Sequence, residues 1–321
     1  MSEVSRKRLA AIIIVAIAIA PTFAFAQSGK PVRLLVPSPA GGPTDFAARL
    51  ITPGLGEALG QNFVVDDRGS ANGIVGAEIA ARAAPDGLTL IMGNSGTHAI
   101  NAGLYRKLPY DPQRDFIAIT EVLASGMVLV VNPRVAAGSL KDFIALAKKD
   151  GKFNIGVAGA TGQLAGEALK AQAQIALNNV HYKGSAPTEF AVLQGEVEVS
   201  ILTPVASTNH VNAGKLRAIG VTSAKRITLL PNVPTLAESG LSGYDFEIWH
   251  GLFAPTGTPD KIVRKLHREV ARILGAKEIR DRANAQGFEV VANTPEEFAA
   301  MVKREIAKYR KIIADAGIPR E

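Results

Sequence analysis

The sequence predicts an α/β protein of two lobes, each a mainly parallel sheet flanked by helices, joined by two crossings of the chain. Three observations lead there. Short β-branched apolar runs alternate with helical stretches, the pattern of βαβ units. The 321 residues suffice for two domains of ordinary size. The alternation shifts near Gly126 and again near Glu247, with no low-complexity linker and no repeat of fixed period. Residues 27–126 with 247–321 therefore form one lobe, and residues 127–246 a second lobe inserted into it.

The first 26 residues stand outside that fold. Arg6, Lys7 and Arg8 precede an apolar run of twelve residues from Leu9 to Ala20, and Ala24-Phe25-Ala26 has the small-x-small form of a cleavage site. Twelve residues are too few to span a bilayer as a helix. The segment reads as an export signal, Gln27 as the new N-terminus, and the periplasm as the location. No cysteine follows the site, so no lipid anchor is expected.

Taken in order, residues 32–36 form a buried strand. Gly41-Gly42 turns the chain sharply, and Pro43 suits the first turn of a helix carrying Phe46, Ala47, Ala48 and Leu50. That helix should break or kink near Thr52, ahead of Pro53. Residues 62–66 form a second strand, 68–73 a turn, 74–83 a helix and 88–93 a third strand. Residues 127–131 open the second lobe. Ser139 caps a helix over 140–149, stopped by Gly151. Strand, turn and helix then recur over 153–174 and 181–194, and residues 197–202 and 216–221 add strands. Residues 231–243 are loop-rich with one short helix. Residues 246–254 return as a strand holding the single tryptophan, Trp249. Thr258-Pro259 starts a helix with an apolar stripe of Ile262, Leu266, Val270 and Ile273. The capping box Thr294-Pro295-Glu296-Glu297 starts another that runs to Gly317.

Three turns share one design: Gly41-Gly42-Pro43-Thr44, Gly159-Ala160-Thr161-Gly162 and Gly184-Ser185-Ala186. Each ends a strand and begins a helix, so unpaired N–H groups gather at the positive end of a helix dipole, a setting for a carboxylate or phosphate. In an open α/β sheet, ligands sit beyond the carboxyl ends of strands, where such turns collect. Three of them, divided between two lobes, suggest a cleft that grips an anion from both sides. Asn94, Ser95 and Thr97, after the third strand, supply a further wall. The alternative for all four stretches is helix capping without a ligand. Asp45 reads as a cap or as a contact for an ammonium group, and Lys183 as a partner for a second carboxylate or a solvated lysine. Trp249 and His250 read as a wall of the cleft or as packed core.

Several function classes have no support. Zero cysteines excludes disulfides, thiolate metal sites and a cysteine nucleophile. The five histidines lie apart, in no metal-binding spacing, so no metal and no cofactor is expected. There is no Gly-x-Ser-x-Gly elbow, no phosphate loop and no dinucleotide fingerprint. The net charge of +7, or +5 without the leader, is scattered, and only 6% of residues are aromatic, so no nucleic-acid partner is expected. An export signal, two lobes and no catalytic set favour binding over turnover. The rival readings are an exported hydrolase or isomerase acting on a small organic acid in the same cleft, and a structural or adhesive protein with no cleft.

An ordered set of motifs then resembles one family. Residues 39–45 and 68–73, Pro85-Asp86-Gly87-Leu88-Thr89, His181-Tyr182-Lys183-Gly184, Gly195-Glu196-Val197, residues 214–218 and 231–235, and Trp249-x-Gly251-Leu252-x-Ala254-Pro255 recur in this order. The chain is similar to the Bug-type extracytoplasmic solute receptors of tripartite tricarboxylate transporters, across essentially the whole mature chain. The resemblance implies a monomeric, two-lobed, type II periplasmic-binding-protein-like fold that closes on its ligand. It implies a small carboxylate ligand (di- or tricarboxylate, amino acid or aromatic acid) and a membrane permease or sensor protein as partner. It also implies that the loops over Ser38, Ala40, Gly41, Gly42, Thr44 and Asp45 and over Gly159, Ala160, Thr161 and Gly162 clamp the carboxylate, partly through water. Ser38 stands where the family often has an aromatic residue, and Ala40 where proline is common.

Overall fold

The computed structural model describes residues 29–69 and 71–321. The expected export signal, residues 1–26, lies outside them. β1 (Val32–Val36) leads into α1 (Pro43–Leu59), β2 (Phe63–Asp67), α2 (Ile74–Ala81) and β3 (Thr89–Asn94). β1 lies between β2 and β3 and pairs parallel with both, Val32 opposite Phe63 and Arg33 opposite Thr89. A π-helical turn, Gly96–Ile100, continues into α3 (Asn101–Leu104), and the long β4 (Phe116–Gly126) follows.

After Met127 alone the chain enters the second sheet. Its elements are β5 (Val128–Val131), α4 (Leu140–Asp150), β6 (Asn154–Ala158), α5 (Gly159–Ala173), β7 (Asn178–Tyr182), α6 (Ser185–Gln194), β8 (Val199–Leu202), α7 (Pro204–Asn212) and β9 (Arg217–Val221). The chain returns as β10 (Glu247–Pro255), followed by α8 (Asp260–Leu274), α9 (Lys277–Ala285), β11 (Glu289–Val290) and α10 (Pro295–Asp315). The first sheet runs β11-β4-β10-β3-β1-β2 and the second β7-β6-β8-β5-β9.

The two-sheet α/β architecture is present, but each sheet is mixed rather than mainly parallel. Antiparallel ladders involve the strands next to the crossings: β10 with β3 and β4, β11 with β4, and β5 with β8 and β9. A strand that leaves one sheet for the other has no crossover helix to return it parallel. Other local expectations are corrected too. α1 runs unbroken through Pro53. Pro53 and Arg49 are exposed, so the carbonyl that loses its donor meets water, while Ile51, Thr52 and Leu55 anchor the buried face. Thr258 does not cap α8: its hydroxyl donates to the Pro255 carbonyl (2.8 Å), and Pro259 takes the cap position. The short helix expected within 231–243 is a run of turns, interrupted by Gly240 and Gly243 at positive φ.

Apolar burial ties the two sheets together. α10 buries Phe298, Val302, Ile306, Tyr309 and Ile313 along one stripe, at helical spacing. Phe298 packs edge-on against Trp249, with ring centroids 5.6 Å apart, which places Trp249 in the core. Gly251 lies directly under Phe298, and a Cβ there would overlap the ring. At the crossing, Tyr309 stacks edge-on with Phe246 at 5.4 Å, and the Tyr244 hydroxyl donates to the Ala165 carbonyl of α5 at 2.9 Å.

Two carboxyls sit beside the same crossing, Glu121 buried and Glu247 half-buried. Burial pushes Glu121 up to about 8, reinforced by the charge of Glu247 and opposed by the Asn293 amide that donates to it. Burial, then the charge of Asp245, pushes Glu247 up to about 7. Unfolded, both would titrate near 4.5. The folded protein thus holds protons that the unfolded chain has released, so the contribution of this pair to stability declines from about pH 4.5 to about pH 8. Glu121→Gln is expected to flatten the fall in melting temperature between about pH 5 and pH 8, and equal slopes in the two proteins would contradict it. Gly251→Ala is expected to cost about 1–3 kcal/mol in chemical denaturation, because the core must move to admit the methyl group.

Candidate ligand-binding cleft

The amino ends of α1, α5 and α6 meet at one cavity of about 270 Å³ between the two sheets. From the first sheet's side come Thr44, Asn94, Ser95 and His250. From the second come Thr161, Gly162, Ser185 and Thr203. A glycine at positive φ stands before or at the start of each helix: Gly41 (φ 78°), Gly159 (φ 60°) and Gly184 (φ 109°). This left-handed conformation, which side chains with a Cβ rarely adopt, turns each strand end sharply into its helix.

None of the three helices receives a side-chain hydrogen bond at its cap position, where Gly42, Ala158 and Gly184 stand. α8 and α9 also start without one, so a missing cap alone marks nothing. Convergence on a single cavity does. Helix-terminal N–H groups left without intrahelical partners, each at a positive dipole end, suit a carboxylate that has lost its water.

A polar chain stiffens the first sheet's side of the cavity. The Asn94 amide oxygen accepts from Thr97 N–H (2.9 Å), and its nitrogen donates to the Thr44 hydroxyl (3.1 Å). Thr44 Oγ1 in turn lies 3.3 Å from His250 Nδ1. Burial pushes His250 down to about 4, so the ring is neutral at pH 7.

Of the ligand-binding residues expected from the sequence, six line this cavity: Thr44, Asn94, Ser95, Thr161, Gly162 and Ser185. His250, read as cleft wall or core, lines it as well, while Trp249 lies in the core. The other expected ligand-binding residues do not line it. Asp45 is buried, but its carboxylate is spent inside its own loop, accepting from Gly41 N–H (2.8 Å) and pairing with Arg49 at 2.6 Å. Thr97 is buried beneath the wall, bonded to Asn94 and 2.9 Å from His98 Nδ1. Ser38 is half-buried behind the turn, Ala40 and Gly41 are exposed, and Gly42 is half-buried. Gly159, Lys183 and Gly184 are exposed at the rim helices, and Ala160 packs toward the core.

The lining also includes residues that sequence reasoning passed over. Thr203-Pro204 repeats the hydroxyl-then-proline form of Thr258-Pro259 and Thr294-Pro295, a pattern present in the sequence. Met127, Ile201, Leu202 and Ile248 carried no local signal, and they make part of the wall apolar.

Among the described residues no charged side chain lines this cavity. A larger one, about 400 Å³, lies by the crossing segments and includes Lys225 and Arg226. It is also lined by Asp245 and Glu289, whose carboxylates offset those cations, and by Glu121 and Glu247. Among the described residues no group of three or more His, Asp or Glu side chains is placed to hold a metal ion.

Known proteins place this geometry in a family. A model of the tripartite tricarboxylate transporter family receptors matches residues 47–318. Protein BugT of Bordetella pertussis is 33% identical over 302 residues, covering 93% of each chain. An R. palustris protein solved with adipate is 36% identical with a TM-score of 0.78, over 90% of this chain and 98% of that one. MatC from Rhodopseudomonas palustris, solved with malate, is 31% identical with a TM-score of 0.74, over 88% of this chain and 98% of that one. Sequence and fold thus agree over most of the described residues, and the chain belongs to the family of tripartite tricarboxylate transporter receptors.

Proposed function

We propose that the protein is a periplasmic receptor that binds one small carboxylate in the cleft and delivers it to a membrane permease or a sensor protein of the tricarboxylate-transporter type. The observation that carries this reading is the convergence of three helix amino ends, from both sheets, on one cavity without charged side chains. Solved members of the family hold adipate and malate, both carboxylates. Receptors of this family are periplasmic, and among the described residues no helix is long and apolar enough to cross a membrane.

In this reading residues 27–126 with 247–321 form one lobe and residues 127–246 the other. They hinge where the chain passes from Gly126 to Met127 and from Phe246 to Glu247. A ligand that touches both lobes only when they are shut favours the shut form by its extra contacts. The receptor acts as a monomer and binds without turnover. One hydroxyl–imidazole pair, Thr44 with His250, does face the cavity. No carboxylate orients the far nitrogen of that imidazole, as a working triad requires.

Protein stripped of ligand is expected to gain melting temperature with some member of a panel of mono-, di- and tricarboxylates and amino acids. A ligand at about a hundred times its Kd adds roughly 2.7 kcal/mol. Thr44→Val and Ser185→Ala, one on each side of the cleft, are each expected to weaken that acid about tenfold, or about 1.4 kcal/mol, in calorimetry. No shift with any acid, or conversion of the bound acid to product, would contradict the receptor reading.

A further inference from the structure

His250 differs from the other polar side chains of the cleft in having half of its hydrogen-bonding capacity engaged and half left over. It lies opposite Asn94 in the β10–β3 ladder, with the Thr44 hydroxyl bridging the two side chains. Thr97 N–H fixes the Asn94 amide with its nitrogen toward Thr44, so the hydroxyl accepts there and keeps its own proton for His250 Nδ1. This relay, assigned from the hydrogen-bond pattern, leaves the ring proton on Nε2. Nε2 is buried and has no partner among the described residues, on a side chain only 5% exposed that lines the cavity. A buried N–H without an acceptor costs about 1–3 kcal/mol, a cost that a bound molecule with a suitable oxygen removes.

His98 provides the contrast. Its Nε2 is also buried without a partner, but the ring stacks on Phe253 at 4.1 Å and does not line the cavity. Both nitrogens are sealed from solvent in this structure, but only the His250 ring borders the cavity, so a small turn of that ring brings its Nε2 to a ligand there.

We propose that His250 determines the ligand specificity of the cleft, its Nε2–H donating to a second polar group of the ligand while the helix amino ends hold the first carboxylate. This inference rests on the carboxylate-receptor reading and narrows it. The ligand class is a short organic acid whose far end carries an acceptor oxygen: a hydroxyl, a carbonyl or a second carboxylate. Met127, Ile201, Leu202 and Ile248 suit the methylenes or ring carbons that join the two ends. A neutral imidazole can serve any of these acceptors without requiring a full negative charge.

The test is calorimetry with pairs of acids that differ only in the far acceptor: adipate with hexanoate, succinate with butyrate, and 4-hydroxybenzoate with benzoate. In wild-type protein at least one pair is expected to show about a tenfold preference for the member with the acceptor. His250→Phe is expected to reduce that preference to about twofold or less, whatever it does to the affinity for the simpler acid. His250→Gln, which still carries a donor, is expected to restore part of it. A ratio of affinities is insensitive to any general loss of stability in the variants. An unchanged preference in His250→Phe, or no preference in the wild type, overturns the role of His250 and leaves the carboxylate reading intact. Wild-type protein that binds no member of any pair overturns both.

Discussion

An anion taken from water into a cavity without a cationic side chain must be met by fixed dipoles, or it will not enter. Here those dipoles are the amino ends of α1, α5 and α6. Two of these amino ends, those of α5 and α6, come from the second sheet and one, that of α1, from the first, so all three bear on one point only if the sheets face each other. Much of the topology follows from that requirement. β4 passes through Met127 straight into β5, and β10 returns the chain, so both sheets contribute strand ends to the same cavity. The antiparallel ladders near the crossing are the consequence of that passage.

The same passage constrains motion. Behind the cavity, Tyr309 of α10 packs on Phe246, and Tyr244 reaches α5, so the two halves share apolar contacts as well as chain. Opening about the crossing would slide these contacts rather than remove them. Glu121, buried, and Glu247, half-buried, sit in the same region and are held high in pKa, which couples the crossing to proton concentration. On the cavity side, Thr97, Asn94, Thr44 and His250 form one hydrogen-bonded chain, each member held by the one before it.

What the sequence made legible was local. Ser139 accepts from Asp142 N–H and starts α4, and Thr294 with Glu297 forms the capping box of α10, because a cap depends on residues three apart. The glycine-rich corners were legible for the same reason, and with them Thr44, Thr161, Gly162 and Ser185. What escaped was set by distant contacts. β4 is buried along nearly its whole length, so it shows no alternation to mark it as a strand. α5 and α6 begin at Gly159 and Ser185, earlier than propensity suggests, since burial of Gly162, Leu164 and Thr188 holds first turns made of poor helix formers. The position of His250 depends on the β10–β3 register, which no spacing along the chain encodes.

The central claim is that amides from both sheets close on one anion. Amide hydrogen exchange, resolved by residue with and without a carboxylate that raises the melting temperature, tests it directly. The account expects slowed exchange together at Thr44–Asp45, Thr161–Gly162 and Ser185–Ala186. Protection confined to one of these helix starts, or found only around the Glu121 cavity, would contradict it.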